Sequence, residues 1–165
     1  MAGTPRLSLP FLTVGQAQKE FTHNESLQTL DVLVCGAVEA PPLATPPPTP
    51  IVGAAYIVAD GATAAWVGRD HCIAAWTGGG WRFISPVEGM TLYERSSGTP
   101  ATFKNGAWEI GALCGSSLLI DGLQVVGARA AGIASPTGGS VVDVEARAAL
   151  DAMLAILREH GLIAS

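Results

Sequence analysis

Residues 72–85 read CIAAWTGGGWRFIS. Two short β-forming runs, Cys72 to Trp76 and Trp81 to Ser85, flank Thr77-Gly78-Gly79-Gly80. That tetrad reads as a hairpin turn, because glycine reaches the positive φ values that tight turns demand. The same texture extends outward from Ile51 to Glu109. AAYIVA (54–59), AAWVG (64–68), MTLYE (90–94), ATF (101–103) and AWEI (107–110) read as short strands. DGA (60–62), SPVEG (85–89), SSGTP (96–100) and KNGA (104–107) punctuate them. Asn105-Gly106 is a strong hairpin signal, and Asp60-Gly61 is similar. One small antiparallel meander is expected.

Four tryptophans, Trp66, Trp76, Trp81 and Trp108, each stand beside a glycine-bearing turn. Two readings are open. The rings form the core of a sheet too small to have another, or some of them form a sugar-binding platform, for which Trp76 and Trp81 are the candidates.

Toward the N terminus, the arm TPRLSLPFL (4–12) contains two prolines and reads as an extended segment lying on something else. A helix follows from about residue 14, or restarts near Thr22, since Thr13/Gln16 and Thr22/Glu25 both fit capping boxes. Leu27, Leu30 and Val34 fall at helical spacing, and Val38 would extend that apolar stripe. Prolines at 41, 42, 46, 47, 48 and 50 then predict an extended connector.

Toward the C terminus, SLLI and LQVV meet at Asp121-Gly122, another hairpin. A loop leads to a closing helix with Asp143 as N-cap and with His160 and Gly161 at its end. Ala146, Leu150, Met153, Leu157 and His160 are spaced four, three, four, three, the seam of a short coiled coil, with Leu154 and Ile156 on its flanks. Leu150, Met153 and Leu157 are therefore the candidate oligomerisation residues. The alternative is that this helix packs on its own chain. The expected fold class is mixed α and β, with an N-terminal arm and helix, a Trp-rich antiparallel meander and a C-terminal helix in an oligomeric bundle. The expected domains are 1–40 (docking or oligomerisation), 41–50 (connector), 51–127 (β domain) and 128–165 (loop and oligomerisation helix).

Charged residues make up only 14% of the 165 and the mean hydropathy is +0.36, apolar for a soluble monomer of this size. Such a chain is expected to hide surface against copies of itself or a partner. No run approaches the ~20 apolar residues of a membrane span, and Pro5, Arg6 and Pro10 leave no apolar core for a signal peptide, so synthesis in the cytoplasm is expected. With a net charge of −5 and only Lys19 and Lys104 as lysines, no basic stripe exists for nucleic acid. Cys35, Cys72 and Cys114 lack metal or disulfide spacing and read as free thiols. No metal, cofactor or catalytic motif emerges. CGSSL (114–118) lacks the second glycine of a nucleophile elbow. Asp60, Asp70, Glu88, Glu94 and Glu109 offer no spacing that singles out a glycosidase pair.

The run 4–34 contains LPFL (9–12), GQAQK (15–19), THNE (22–25) and LQTLDVLV (27–34). It resembles the opening of an uncharacterised domain family of phage and prophage proteins. YIVADGATAAWVG (56–68) and IAAWTGGGWRFISPVEGM (73–90) resemble the same family's Trp-rich body. Residues 125–163 are similar to a tail shared by phage-like fibre proteins and gene transfer agents. The resemblance implies a non-enzymatic virion component at the particle surface, a head spike or tail fibre. The lack of a long receptor-binding region between these modules favours a base or adaptor. Its expected partners are copies of itself, with a trimer favoured and a pentamer possible, and other virion proteins. The alternative function is a carbohydrate-binding module for cell-surface polysaccharide, and a more distant one a glycan-cleaving enzyme.

Overall fold

The computed structural model describes residues 3–12 and 19–164, which form two compact units, one up to Leu113 and one from Cys114. Helix α1 runs over Lys19–Leu33 without a break at Thr22; the Thr13/Gln16 box lies outside the described residues. The chain leaves α1 through Cys35, at φ 48°, and Gly36. A Cβ on Gly36 would come within 2.9 Å of the Val32 carbonyl oxygen, so this close approach demands glycine. Val38 does not extend the helical stripe. It lies fully buried in β1 (Ala37–Val38), which pairs in parallel with β5 (Thr91–Glu94).

The expected single meander is two sheets. β2 (Ala55–Ile57), β3 (Ile73–Thr77) and β4 (Gly80–Ile84) form an antiparallel sheet in that order. β5, β6 (Thr99–Lys104) and β7 (Ala107–Ile110) form another antiparallel run, extended by β1 at the β5 edge. The turns behave as their residues dictate. Asn105 and Gly106 take φ of 52° and 80° between β6 and β7, the backbone that an Asn-Gly hairpin provides. Thr77 Oγ1 accepts from the Gly79 amide and donates to the Gly80 carbonyl between β3 and β4. Asp60-Gly61 closes no tight hairpin, since β2 reaches its partner β3 only after residues 58–72. AAWVG is not a strand either. Ala64–Trp66 is a 3-10 turn that carries Trp66 to full burial.

The two faces of the β2-β3-β4 sheet are buried differently. Ile57, Ile73 and Ala75 pack with Val32 of α1, Val38, and Leu92 and Ala101 of the second sheet. On the opposite face Ala74 packs with Val58 and Trp66, flanked by Tyr56, Trp81 and Phe83. Trp108 donates its Nε1–H to the His71 carbonyl at 2.8 Å, tying β7 to the turn before β3.

The proline-rich segment is laid against β2 rather than standing free. Proline has no N–H, so the bonds pass through its neighbours. The amides of Glu39 and Leu43 donate to the Ala55 and Ile57 carbonyls, and the Leu43 carbonyl accepts from Ala59. The two compact units divide at 113/114. The N-terminal arm likewise lies on its own helix: Thr4, Arg6 and Leu7 all bond to Asp31 of α1.

In the second unit β8 (Leu118–Ile120) and β9 (Leu123–Val126) form a hairpin with positive φ at both Asp121 and Gly122. Helix α2 (Val144–Glu159) is capped by the Asp143 carboxylate, which accepts from the Ala146 amide at 2.8 Å. Gly161 follows at φ 69°.

Candidate functional site

α2 seats one face on its own unit. Leu154 is 8% exposed and lies near Arg147 and Arg158 on the helix surface, at the i+7 and i+4 spacings that place residues on one stripe. The two guanidiniums bond to the carbonyls of Pro136, Gly138 and Ile133. Ile163, 5% exposed, is held where the Ala130 amide donates to Leu162 and the Ala164 amide donates to Ala130. The seam predicted from spacing lies roughly a quarter-turn away. Leu150 and Met153 are 45% and 53% exposed, and Leu157 is half-buried. Along the hairpin every side chain of β8 and β9 is exposed, among them Leu118, Leu119, Ile120, Leu123 and Val125. That second apolar surface was not legible as exposed from alternation alone.

The stripe on α1 also faces outward. Leu30 and Val34 are exposed, Leu27 is half-buried, and the core side is carried by Val32 and Leu33. Asp31 is 2% exposed, and its place beside Val32 is invisible to a search for apolar residues.

Trp76 and Trp81 are brought together as a directly opposed pair across β3 and β4. Their rings meet edge to face, with centroids 4.9 Å apart and planes 62° apart. This is not a flat platform for two successive sugar rings. Trp81 also meets Trp66 at 5.1 Å and Tyr56 at 6.0 Å; Trp66 is core, and Trp76 and Trp81 are half-buried.

Two clefts open in the first unit. One, of about 340 Å³, lies between the arm and residues 51–56, and its guanidiniums are engaged. Arg6 bonds to carbonyls at the end of α1, and Arg95 pairs with Glu39 at 3.2 Å. Burial and the Glu39 carboxylate push the Tyr56 hydroxyl above its usual pKa. The other, of about 320 Å³, lies between α1 and β4 and is lined by Gln28, Thr29, Arg69, Trp81 and Phe83, with the Glu25–Arg82 ion pair in its wall.

The model of DUF2793, a family of proteins of unknown function, matches residues 23–109. The chain belongs to DUF2793. No curated protein matches it significantly. The DUF2793 segment runs from α1 through β7 and so contains both sheets and the α1–β4 cleft; the hairpin and α2 lie beyond it.

Four of the five candidate carboxylates have contacts in the structure as follows. Asp70 accepts from the Ala62 amide, Glu88 from the Asn105 amide, and Asp60 lies 3.1 Å from His71. Glu94 is fully buried, and the hydroxyls and amides of Ser96 and Ser97 hold its carboxylate down at a pKa of about 2. Among the described residues no three His, Cys, Asp or Glu side chains gather as a metal site, the cysteines form no disulfide, and no helix is long and apolar enough to cross a membrane.

Proposed function

We propose that this DUF2793 protein is a non-enzymatic structural component of a phage-like particle, a short head spike or a tail fibre base or adaptor that self-associates and anchors or presents a receptor-binding element. One observation carries the self-association. In the unit from Cys114 onward the buried apolar side chains are Leu154 and Ile163, while the hairpin and the Leu150/Met153 seam stand in water. An isolated two-stranded hairpin is marginal at best, and a helix of 16 residues is marginal by itself. Packing against copies of the same unit supplies the burial that one copy lacks, and a 3-4-spaced seam is complementary to itself in a bundle. The particle context is drawn from the sequence resemblance of residues 4–34, 56–90 and 125–163. A trimer is the favoured state, as a fibre requires; a pentamer would fit a capsid vertex.

The deciding experiment is the mass of the purified full chain by sedimentation equilibrium. A trimer or higher cyclic oligomer is expected, and a monomer at micromolar concentration would refute self-association. Incorporation of the tagged chain into particles tests the virion role separately.

A further inference from the structure

The α1–β4 cleft holds a guanidinium, that of Arg69, with neither an ion pair nor a hydrogen bond among the described residues, whereas in the neighbouring cleft Arg6 is bonded to carbonyls and Arg95 to Glu39. Arg69 lies over the Phe83 ring at 5.0 Å and makes no ion pair among the described residues. Arg82, by contrast, is neutralised by Glu25. The cleft therefore presents one net positive charge in a protein whose own net charge is −5. Beside that charge stand an indole, a phenyl ring, the Thr29 hydroxyl and the Gln28 amide. Gln28 Oε1 and Arg82 Nε are buried without a hydrogen-bond partner among the described residues. A buried acceptor and a buried donor left unpaired cost stability. A hydroxyl group reached by a small side-chain shift can donate to the first and accept from the second.

From this set we infer that the cleft binds one pyranose ring bearing a carboxylate, a uronic-acid type of sugar residue. The carboxylate pairs with Arg69, whose planar guanidinium suits that group. The ring lies against the aromatic lining contributed by Trp81, and its hydroxyls meet Thr29, Gln28 and Arg82. The volume, about 320 Å³, is at the small end for ligand sites and fits one ring rather than a chain. Trp76, turned edge to face against Trp81, adds no second platform. A single ring held this way binds weakly, and an oligomer displaying several clefts would gain by avidity. The cleft itself lies within one chain and does not depend on assembly.

The test uses the full chain, titrated with sodium glucuronate, with glucose as the neutral ring and acetate as the carboxylate alone, followed by ligand-observed NMR. Glucuronate should bind with a dissociation constant on the order of 1–10 mM, at least roughly tenfold tighter than glucose or acetate. Arg69→Gln, at an exposed position, should abolish that preference without moving the melting temperature. Thr29→Tyr, which fills the cleft from the exposed side of α1, should block the ring. Equal binding of glucose and glucuronate would overturn the role of Arg69, and equal binding of acetate would overturn the ring. No glucuronate signal at ~100 mM would overturn the site, whatever the oligomeric mass proves to be.

Discussion

The Thr4 hydroxyl donates to the Asp31 carboxylate at 2.7 Å, across 27 residues of sequence. Asp31 also accepts from the amides of Arg6 and Leu7, while the Arg6 guanidinium turns back to the carbonyls of Asp31, Val32 and Cys35. A buried carboxylate is thus satisfied by the arm, and the unpaired carbonyls at the end of α1 are satisfied by the same stretch. Asp31→Ala should cost about 2–4 kcal/mol, since two backbone donors and a hydroxyl lose their acceptor. Removing residues 1–12 should be at least as damaging, because it strands the carboxylate. Chemical denaturation followed by tryptophan fluorescence reports both, as all four tryptophans lie in this unit. An unchanged midpoint would show that the arm contributes nothing to folding and is available for docking elsewhere.

On α2, exposure separates assembly from folding. Leu150→Glu and Met153→Glu alter side chains already in water within one chain, so the helix should persist while the oligomeric mass falls. Leu154→Glu puts a charge into the unit's own small core, where the cost is several kcal/mol, and should lower helix content as well. Sedimentation combined with far-ultraviolet circular dichroism distinguishes the two. Full mass retained by both seam variants would remove α2 from the interface.

The tryptophans should divide by burial. Trp66→Ala should cost about 3–5 kcal/mol, as expected for a large aromatic removed from a packed core. Trp76→Ala, at a half-buried position, should cost less than half of that. Urea unfolding midpoints give the comparison, and equal losses at the two sites would assign Trp76 to the core.

Glu94 makes stability depend on pH. Its folded pKa, about 2, lies below the ordinary value of 4.5, so its contribution is complete above 4.5 and declines as pH falls through the interval down to about 2. The difference in melting temperature between the native chain and Glu94→Gln should be constant above about pH 5 and shrink across that interval. A difference that is flat down to pH ~2 would mean that the carboxylate charge is not what the Ser96–Ser97 turn holds.

Short-range chemistry was enough to fix certain features from the sequence alone. Asn105-Gly106 and Asp121-Gly122 favour the positive φ of their hairpins whatever surrounds them, Asp143 can cap only the amides just after it, and Gly161 ends α2 for want of a Cβ. Mixed α and β structure with a helix at each end follows from such local preferences, as does the 3-4 spacing of Leu150, Met153 and Leu157. The division of the strands into two sheets, the parallel pairing of β1 with β5 and the laying of residues 39–44 along β2 depend on hydrogen bonds between distant residues, and no local preference encodes them. Spacing identified apolar stripes on both helices but could not tell which side the chain itself would cover, because burial is a property of what packs opposite. Hence Leu30 faces water while Asp31 is buried beneath the arm, Leu154 rather than Leu150 seats α2, and Trp76 and Trp81 meet edge to face, an arrangement that their places beside glycine-bearing turns did not determine. The α1–β4 cleft belongs to the same class: Thr29, Arg69 and Trp81 are separated by long stretches of chain, and only folding brings their hydroxyl, guanidinium and indole around one space.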